Sequence, residues 1–150
     1  MSAEENKALA RRSWEIVTET NLDTLDEALQ EVYADDIVMH EPDEDVRGID
    51  GLTQFVSMIR SAVPDLRVTL EDDIAEGKKV VSRWRAQGTH QGELMGIAPT
   101  GNEVAITGIT IHRIEDGKIV EEWENWDALG LMQQIGAVPT PEQSEEASPT

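Results

Sequence analysis

The chain has 150 residues and no cysteine, which excludes a disulfide framework, a thiolate metal site and a cysteine nucleophile. Thirty-one acidic residues against twelve basic ones give a formal charge of −19, so no basic stripe exists to neutralise nucleic-acid phosphates or anionic membrane headgroups. With 39% hydrophobic residues and clear periodicity, the charge points to a folded domain with an acidic surface rather than to disorder.

The N-terminus, Met1-Ser2-Ala3-Glu4-Glu5, lacks the basic start and apolar run of a secretory signal. Residues 3–20 carry Ala10, Trp14 and Val17 at helical spacing. Over 22–33 the apolar stripe is fuller: Leu22, Leu25, Ala28, Leu29, Val32 and Tyr33 share one face of an amphipathic helix. Asp35-Asp36 breaks that pattern, and Ile37 to His40 reads as a short strand closed by Pro42. A third helix is expected over 48–63, with Asp50 as its N-cap and Leu52, Phe55, Val56, Ile59 and Val63 buried; Pro64-Asp65 stops it.

Beyond Pro64 the period changes to two. Leu66 to Leu70 alternates, and Gly77-Lys78 is a turn. Val80 to His90 is a long strand with Val80, Ser82, Trp84, Ala86, Gly88 and His90 on one face. Val81, Arg83, Arg85, Gln87 and Thr89 take the other. A glycine-rich segment, Gly92 to Gly101, ends in the turn Pro99-Thr100-Gly101. Val104 to Ile114 is a strand, Asp116-Gly117 a hairpin turn, Lys118 to Trp126 the last strand, and Leu129 to Ile135 a short terminal helix. Helices first and an antiparallel meander second define an α+β domain over residues 1–138: three helices on one face of a curved, mostly antiparallel sheet, leaving a cone with a mouth. Residues 139–150, rich in Pro, Glu, Ser and Thr, read as an acidic disordered tail.

No apolar stretch approaches the roughly 18–20 residues of a membrane span, and a cytoplasmic location is expected. An acidic surface poor in lysine is what a halophilic organism would produce, because salt screens the self-repulsion of the compact state.

The last strand carries the candidate chemistry. Its period of two places Glu121, Trp123, Asn125 and Asp127 on one face and Glu122, Glu124 and Trp126 on the other. With the first set turned into the cone, desolvation would raise a carboxyl pKa and poise it for proton transfer near neutral pH. Asp127 also stands directly before the terminal helix, where an N-cap is the alternative role. The three histidines, His40, His90 and His112, lie in or at the ends of strands. They show neither His-x-His nor His-x-x-x-His spacing, so no metal site is expected. A hydrogen-bonded structural histidine is the alternative to a functional one at each position. Trp84 and Trp123 sit on the apolar faces of neighbouring strands, either as core or as the lining for a flat aromatic or terpenoid-like ligand.

Several runs together resemble one family. They are Gly88-Thr89-His90-Gln91-Gly92 with Gly96-Ile97-Ala98-Pro99-Thr100-Gly101, and Gly117-Lys118-Ile119-Val120-Glu121-Glu122-Trp123 followed by Asp127 and Gln133-Gln134-Ile135-Gly136. Pro64-Asp65-Leu66 and His40-Glu41-Pro42 fit the same pattern. Over residues 5–138 the chain resembles the SnoaL-like polyketide (ester) cyclases of the nuclear-transport-factor-like cone fold. The resemblance implies a homodimer or homotetramer packed through the outer sheet surface. It also implies intramolecular aldol ring closure of a small hydrophobic molecule, without cofactor or metal. It assigns Asp127 as the acid/base and His112 as its assisting histidine. His40 and His90 match signature positions and, with Trp84, Trp123 and Asn125, are expected to contact substrate.

That chemistry is physically coherent. Removing a proton beside a carbonyl gives an enolate, and donors such as His112 or Asn125 would stabilise the oxyanion. Holding both ends of one substrate together is worth roughly 7–11 kcal/mol. Two sister activities fit less well. A ketosteroid isomerase would use a tyrosine and a protonated acid, and the only tyrosine, Tyr33, lies on a core stripe. An epoxide hydrolase would need an arginine between two aspartates, and Arg83 and Arg85 face away from Trp84 and His90. A non-catalytic carrier of a small hydrophobic molecule, or an assembly module with a filled cone, are the other readings.

Overall fold

A computed structural model describes residues 1–138; the expected tail lies outside the described residues. Helix α1 (Ala3–Glu19) opens with a reciprocal cap. Ser2 Oγ accepts from the Glu5 amide at 3.1 Å, and Glu5 Oε1 accepts from the Ser2 amide at 3.0 Å. The stripe expected over 22–33 is divided. Leu22–Thr24 forms one 3-10 turn, fixed by Asn21 Oδ1 accepting from the Asp23 amide, and Leu22 is exposed. Helix α2 then covers only Leu25–Val32.

Tyr33 opens strand β1 (Tyr33–His40), four residues before the expected start at Ile37. Strand β2 (Asp45–Arg47), too short to leave a periodic signal, pairs antiparallel with the end of β1. Helix α3 (Gly48–Ala62) starts from Arg47 without a side-chain cap. Asp50 is therefore not the N-cap; it lies in the first turn, where its charge still complements the helix dipole.

Strands β3 (Arg67–Glu76), β4 (Lys79–Thr89), β5 (Glu103–Glu115) and β6 (Lys118–Trp126) form the meander, and α4 (Ala128–Gln134) follows. The six strands make one curved, unclosed sheet in the order β2-β1-β6-β5-β4-β3. Only the β1–β6 pair is parallel. This is the expected α+β cone.

Helices α1 to α3 cover one end of the inner face, where Ile16, Leu25, Leu29, Leu52, Val80 and Ile119 pack together. A second cluster, including Val63, Leu94, Val104 and Leu131, closes the other end. Both clusters contribute walls to a cavity of about 250 Å³. No helix among the described residues is long and apolar enough to cross a membrane.

One irregularity decides what the cavity contains. The β5–β6 register shifts between Arg113, which pairs with Glu121, and Ile114, which pairs with Ile119. Ile119 is fully buried, and strict alternation from it would turn Glu121, Trp123 and Asn125 inward. The bulge inserts a residue and reverses the parity. Glu122, Glu124 and Trp126 face the cavity instead, so the expectation that the odd-numbered face looks inward is overturned.

Candidate functional site

The floor of the cavity is built across three neighbouring strands. Ser82 on β4 pairs with Thr110 on β5, which pairs with Glu124 on β6; one step along, Val80, His112 and Glu122 align in the same way. Gly108 makes room for the Trp84 indole, since a Cβ there would come within 2.7 Å of Trp84 Cε2. Packed against Gly108, Trp84 donates its Nε1–H to Thr110 Oγ1 at 3.0 Å, and the Thr110 hydroxyl donates to Glu124 Oε2 at 3.0 Å. The relay fixes one face of the Glu124 carboxyl.

A second polar group lies deeper. His112 Nδ1 meets Glu122 Oε2, and its Nε2 lies 3.1 Å from Ser82 Oγ. Tyr33 O–H stands 3.3 Å from Glu122 Oε2. His112 and Glu122 are 1% and 3% exposed, so these groups satisfy one another away from water. Burial, then the Glu122 charge, pushes the Tyr33 hydroxyl well above its ordinary value. Trp14 packs edge-on to His112 and tilted against Trp84, with centroids 6.2 Å and 5.5 Å away.

The third element is Glu41, just past the end of β1. The parallel register pairs Met39 with Glu122 and His40 with Trp123, which brings Glu41 beside Glu124 on the cavity side. Both Glu41 carboxyl oxygens are shielded from solvent and make no hydrogen bond. Burial first, and then the charge of Glu124, pushes the Glu41 carboxyl up to about 10. Glu124 is also raised, chiefly by burial, against the opposing effect of the hydrogen bond from Thr110. The rest of the wall is apolar, with Leu52, Phe55, Val56, Val63 and Ile106 prominent. The arrangement can hold a flat apolar molecule against carboxyl groups, one of which keeps its proton at neutral pH.

Residues 8–135 match the family model for SnoaL-like polyketide cyclases. The chain belongs to the SnoaL-like polyketide cyclase family. No curated protein matches it. AclR from Streptomyces galilaeus, described as a candidate hydroxylase, is 30% identical with a TM-score of 0.81, over 97% of this chain and 90% of AclR. TsrD from Streptomyces laurentii is 29% identical with a TM-score of 0.80, over 92% and 99%. IdmH from Streptomyces antibioticus, a candidate polyketide cyclase, is 28% identical with a TM-score of 0.73, over 87% and 98%.

The residues singled out from sequence separate into three groups. His112 and Trp84 line the cavity. His90 is fully buried outside it, where Nδ1 accepts from the Thr100 amide at 3.3 Å and lies 3.0 Å from Thr100 Oγ1, pinning the loop after β4. The remaining four lie elsewhere. Trp123 and Asn125 sit on the outer sheet face because of the β6 bulge. His40 joins them there, its ring stacked on Trp123 at 5.6 Å and held by Asp45 at 2.8 Å and Glu121 at 2.7 Å. Asp127 is exposed, and its Oδ1 accepts from the Gly130 amide at 2.9 Å as the N-cap of α4.

Glu41, Thr110, Glu122 and Glu124 also line the cavity and are not among the site residues expected from sequence. For Glu122 and Glu124 the one visible signal is an acidic side chain inside a strand expected to be buried on one face; Glu41 and Thr110 carry none. Among the described residues no group of three or more potential metal ligands comes together.

Proposed function

We propose that this SnoaL-like cyclase closes a ring on a small apolar carbonyl compound by cofactor-independent acid/base chemistry of the aldol type. The observation that supports the reading is a desolvated carboxyl, Glu124, held by the Trp84–Thr110 relay at the floor of an apolar cavity. Glu124 takes the role that the family resemblance had suggested for Asp127. His112 has both ring nitrogens engaged, and it is assigned the positioning of Glu122 and the floor rather than direct proton transfer. The apolar walls exclude water from the enolate and fold the substrate so that its reacting carbons meet.

The test is cleavage of a fluorogenic β-hydroxy ketone whose retro-aldol reaction releases a naphthaldehyde. Glu124→Gln is expected to lose about 10²- to 10⁴-fold in rate, while Asp127→Asn retains it. Equal rates in wild type and Glu124→Gln would remove the assignment. The capping role of Asp127 favours a second reading, a carrier that binds its ligand without reaction. Native mass spectrometry supports the carrier if a co-purified apolar molecule is retained unchanged on incubation.

A further inference from the structure

We propose that Glu41 and Glu124 act as one carboxyl pair that holds a single proton and a single negative charge across neutral pH. The placement follows from strand pairing. On parallel neighbouring strands Met39 aligns with Glu122 and His40 with Trp123, and the next step along brings Glu41 beside Glu124. Both side chains line the same cavity. Glu124 is anchored by Thr110, whereas the Glu41 oxygens have neither solvent nor a hydrogen-bond partner. A buried carboxylate left in that condition is costly, and a protonated carboxyl beside an ionised neighbour is the inexpensive alternative.

The surrounding charges reinforce this. Asp43 and Glu44 follow Glu41 at the cavity wall, and Glu122 with its partner His112 lies deeper on the Glu124 side. From α3, Arg60 also lines the cavity, but its Nη1 donates to the Thr20 carbonyl. Two adjacent carboxylates would therefore repel each other in a poorly hydrated site, and one of them keeps its proton. Burial and the Glu124 charge both raise Glu41, while the hydrogen bond from Thr110 favours ionised Glu124, so Glu41 is the neutral member.

The catalytic consequence rests on the ring-closing reading above. Ionised Glu124 takes the proton from the carbon beside the donor carbonyl. The resulting enolate carbon bonds to the acceptor carbonyl carbon, and the alkoxide oxygen receives the proton of Glu41. Glu124 is now neutral and Glu41 ionised, and one proton passing between them restores the pair. No oxidant, reductant or water is consumed.

The experiment is a pH titration of the full chain with ¹³C-carboxyl-labelled glutamate, followed by NMR. In wild type Glu41 should ionise far above neutrality. Glu124→Gln should lower that midpoint by more than about one pH unit, and Glu41→Gln should reduce Glu124 to a single-step curve. An unmoved Glu41 midpoint in Glu124→Gln, or two carboxyls ionising in the ordinary range, overturns the pair; if Glu124→Gln does not fold, the Glu41→Gln curve decides. Coupled titrations in a protein inert to the β-hydroxy ketone retain the pair and retire the ring-closing reading. Cleavage with uncoupled titrations does the reverse.

Discussion

Tyr33 and Glu122 stand 89 residues apart in the chain, yet the tyrosine hydroxyl lies 3.3 Å from Glu122 Oε2. The same carboxylate oxygen meets His112 Nδ1, so one glutamate joins the start of β1 to the last third of β5. Removing it leaves a buried imidazole and a buried hydroxyl without their partner. Glu122→Ala is expected to destabilise the fold by roughly 3–5 kcal/mol. Its neighbour Glu121 faces outward, and Glu121→Ala should cost less than about 1 kcal/mol. Urea unfolding of the two variants measures the contrast, and equal losses would contradict the assignment of faces on β6.

Glu41 sets a pH dependence with a definite sign. Its folded pKa is raised from 4.5 to about 10, so the folded state binds more protons than the unfolded state between those values. Stability therefore falls as pH rises through that window. Glu41→Gln removes the titrating group, so the difference in stability between variant and wild type should grow in favour of the variant from mildly acid to alkaline pH. Parallel curves of melting temperature against pH would show that Glu41 ionises normally.

Local pattern made much of the architecture legible. The strand expected over Val80 to His90 is found at Lys79–Thr89, and that expected over Lys118 to Trp126 is found unchanged. The contents of the site were harder to read because they depend on non-local pairing. Neither the bulge opposite Arg113 and Ile114 nor the parallel docking of β1 on β6 leaves a mark in composition or period, yet the first turns Glu122 and Glu124 inward and the second brings Glu41 to Glu124. Asp35 and Asp36 hid the first half of β1 because they are not buried where β2 gives no cover.

Trp84 can lie across β5 only because residue 108 has no side chain. Gly108→Ala would drive a methyl group into the indole ring, and the ring belongs to the relay that holds Glu124. An overpacking cost of about 1–3 kcal/mol is expected, together with a larger fractional loss of retro-aldol rate than of stability at temperatures where the variant remains folded. A variant as stable and as active as wild type would show that the strand opens without disturbing Trp84.

A formal charge of −19 on 150 residues makes self-repulsion a general penalty on the folded state. Added salt shortens the screening length to about 3 Å at 1 M, so the melting temperature should rise with sodium chloride. A flat or falling series would remove the case for a salt-adapted surface.

His40 on the outer face offers a titration independent of the cavity. Each ring nitrogen faces a carboxylate, Asp45 from β2 and Glu121 from β6, and both contacts are hydrogen bonds only when both nitrogens carry protons. Glu121, then Asp45, accordingly raises His40 above 6.5, and His40 in turn helps to lower Glu121. Arg47 and Arg113 flank the two carboxylates, and Lys79 lies across Trp123. The stabilisation from His40 is fully present below 6.5 and is lost as pH rises through its raised folded value. The stabilisation from Glu121 is present above 4.5 and is lost as pH falls through its lowered one. The pair thus holds β1, β2 and β6 together between those two folded values. Proton NMR of the His40 ring should give a midpoint above 6.5 that drops in Glu121→Gln, because a neutral amide no longer favours the imidazolium. A midpoint at or below 6.5 in wild type would mean that the two carboxylates do not hold the ring in solution.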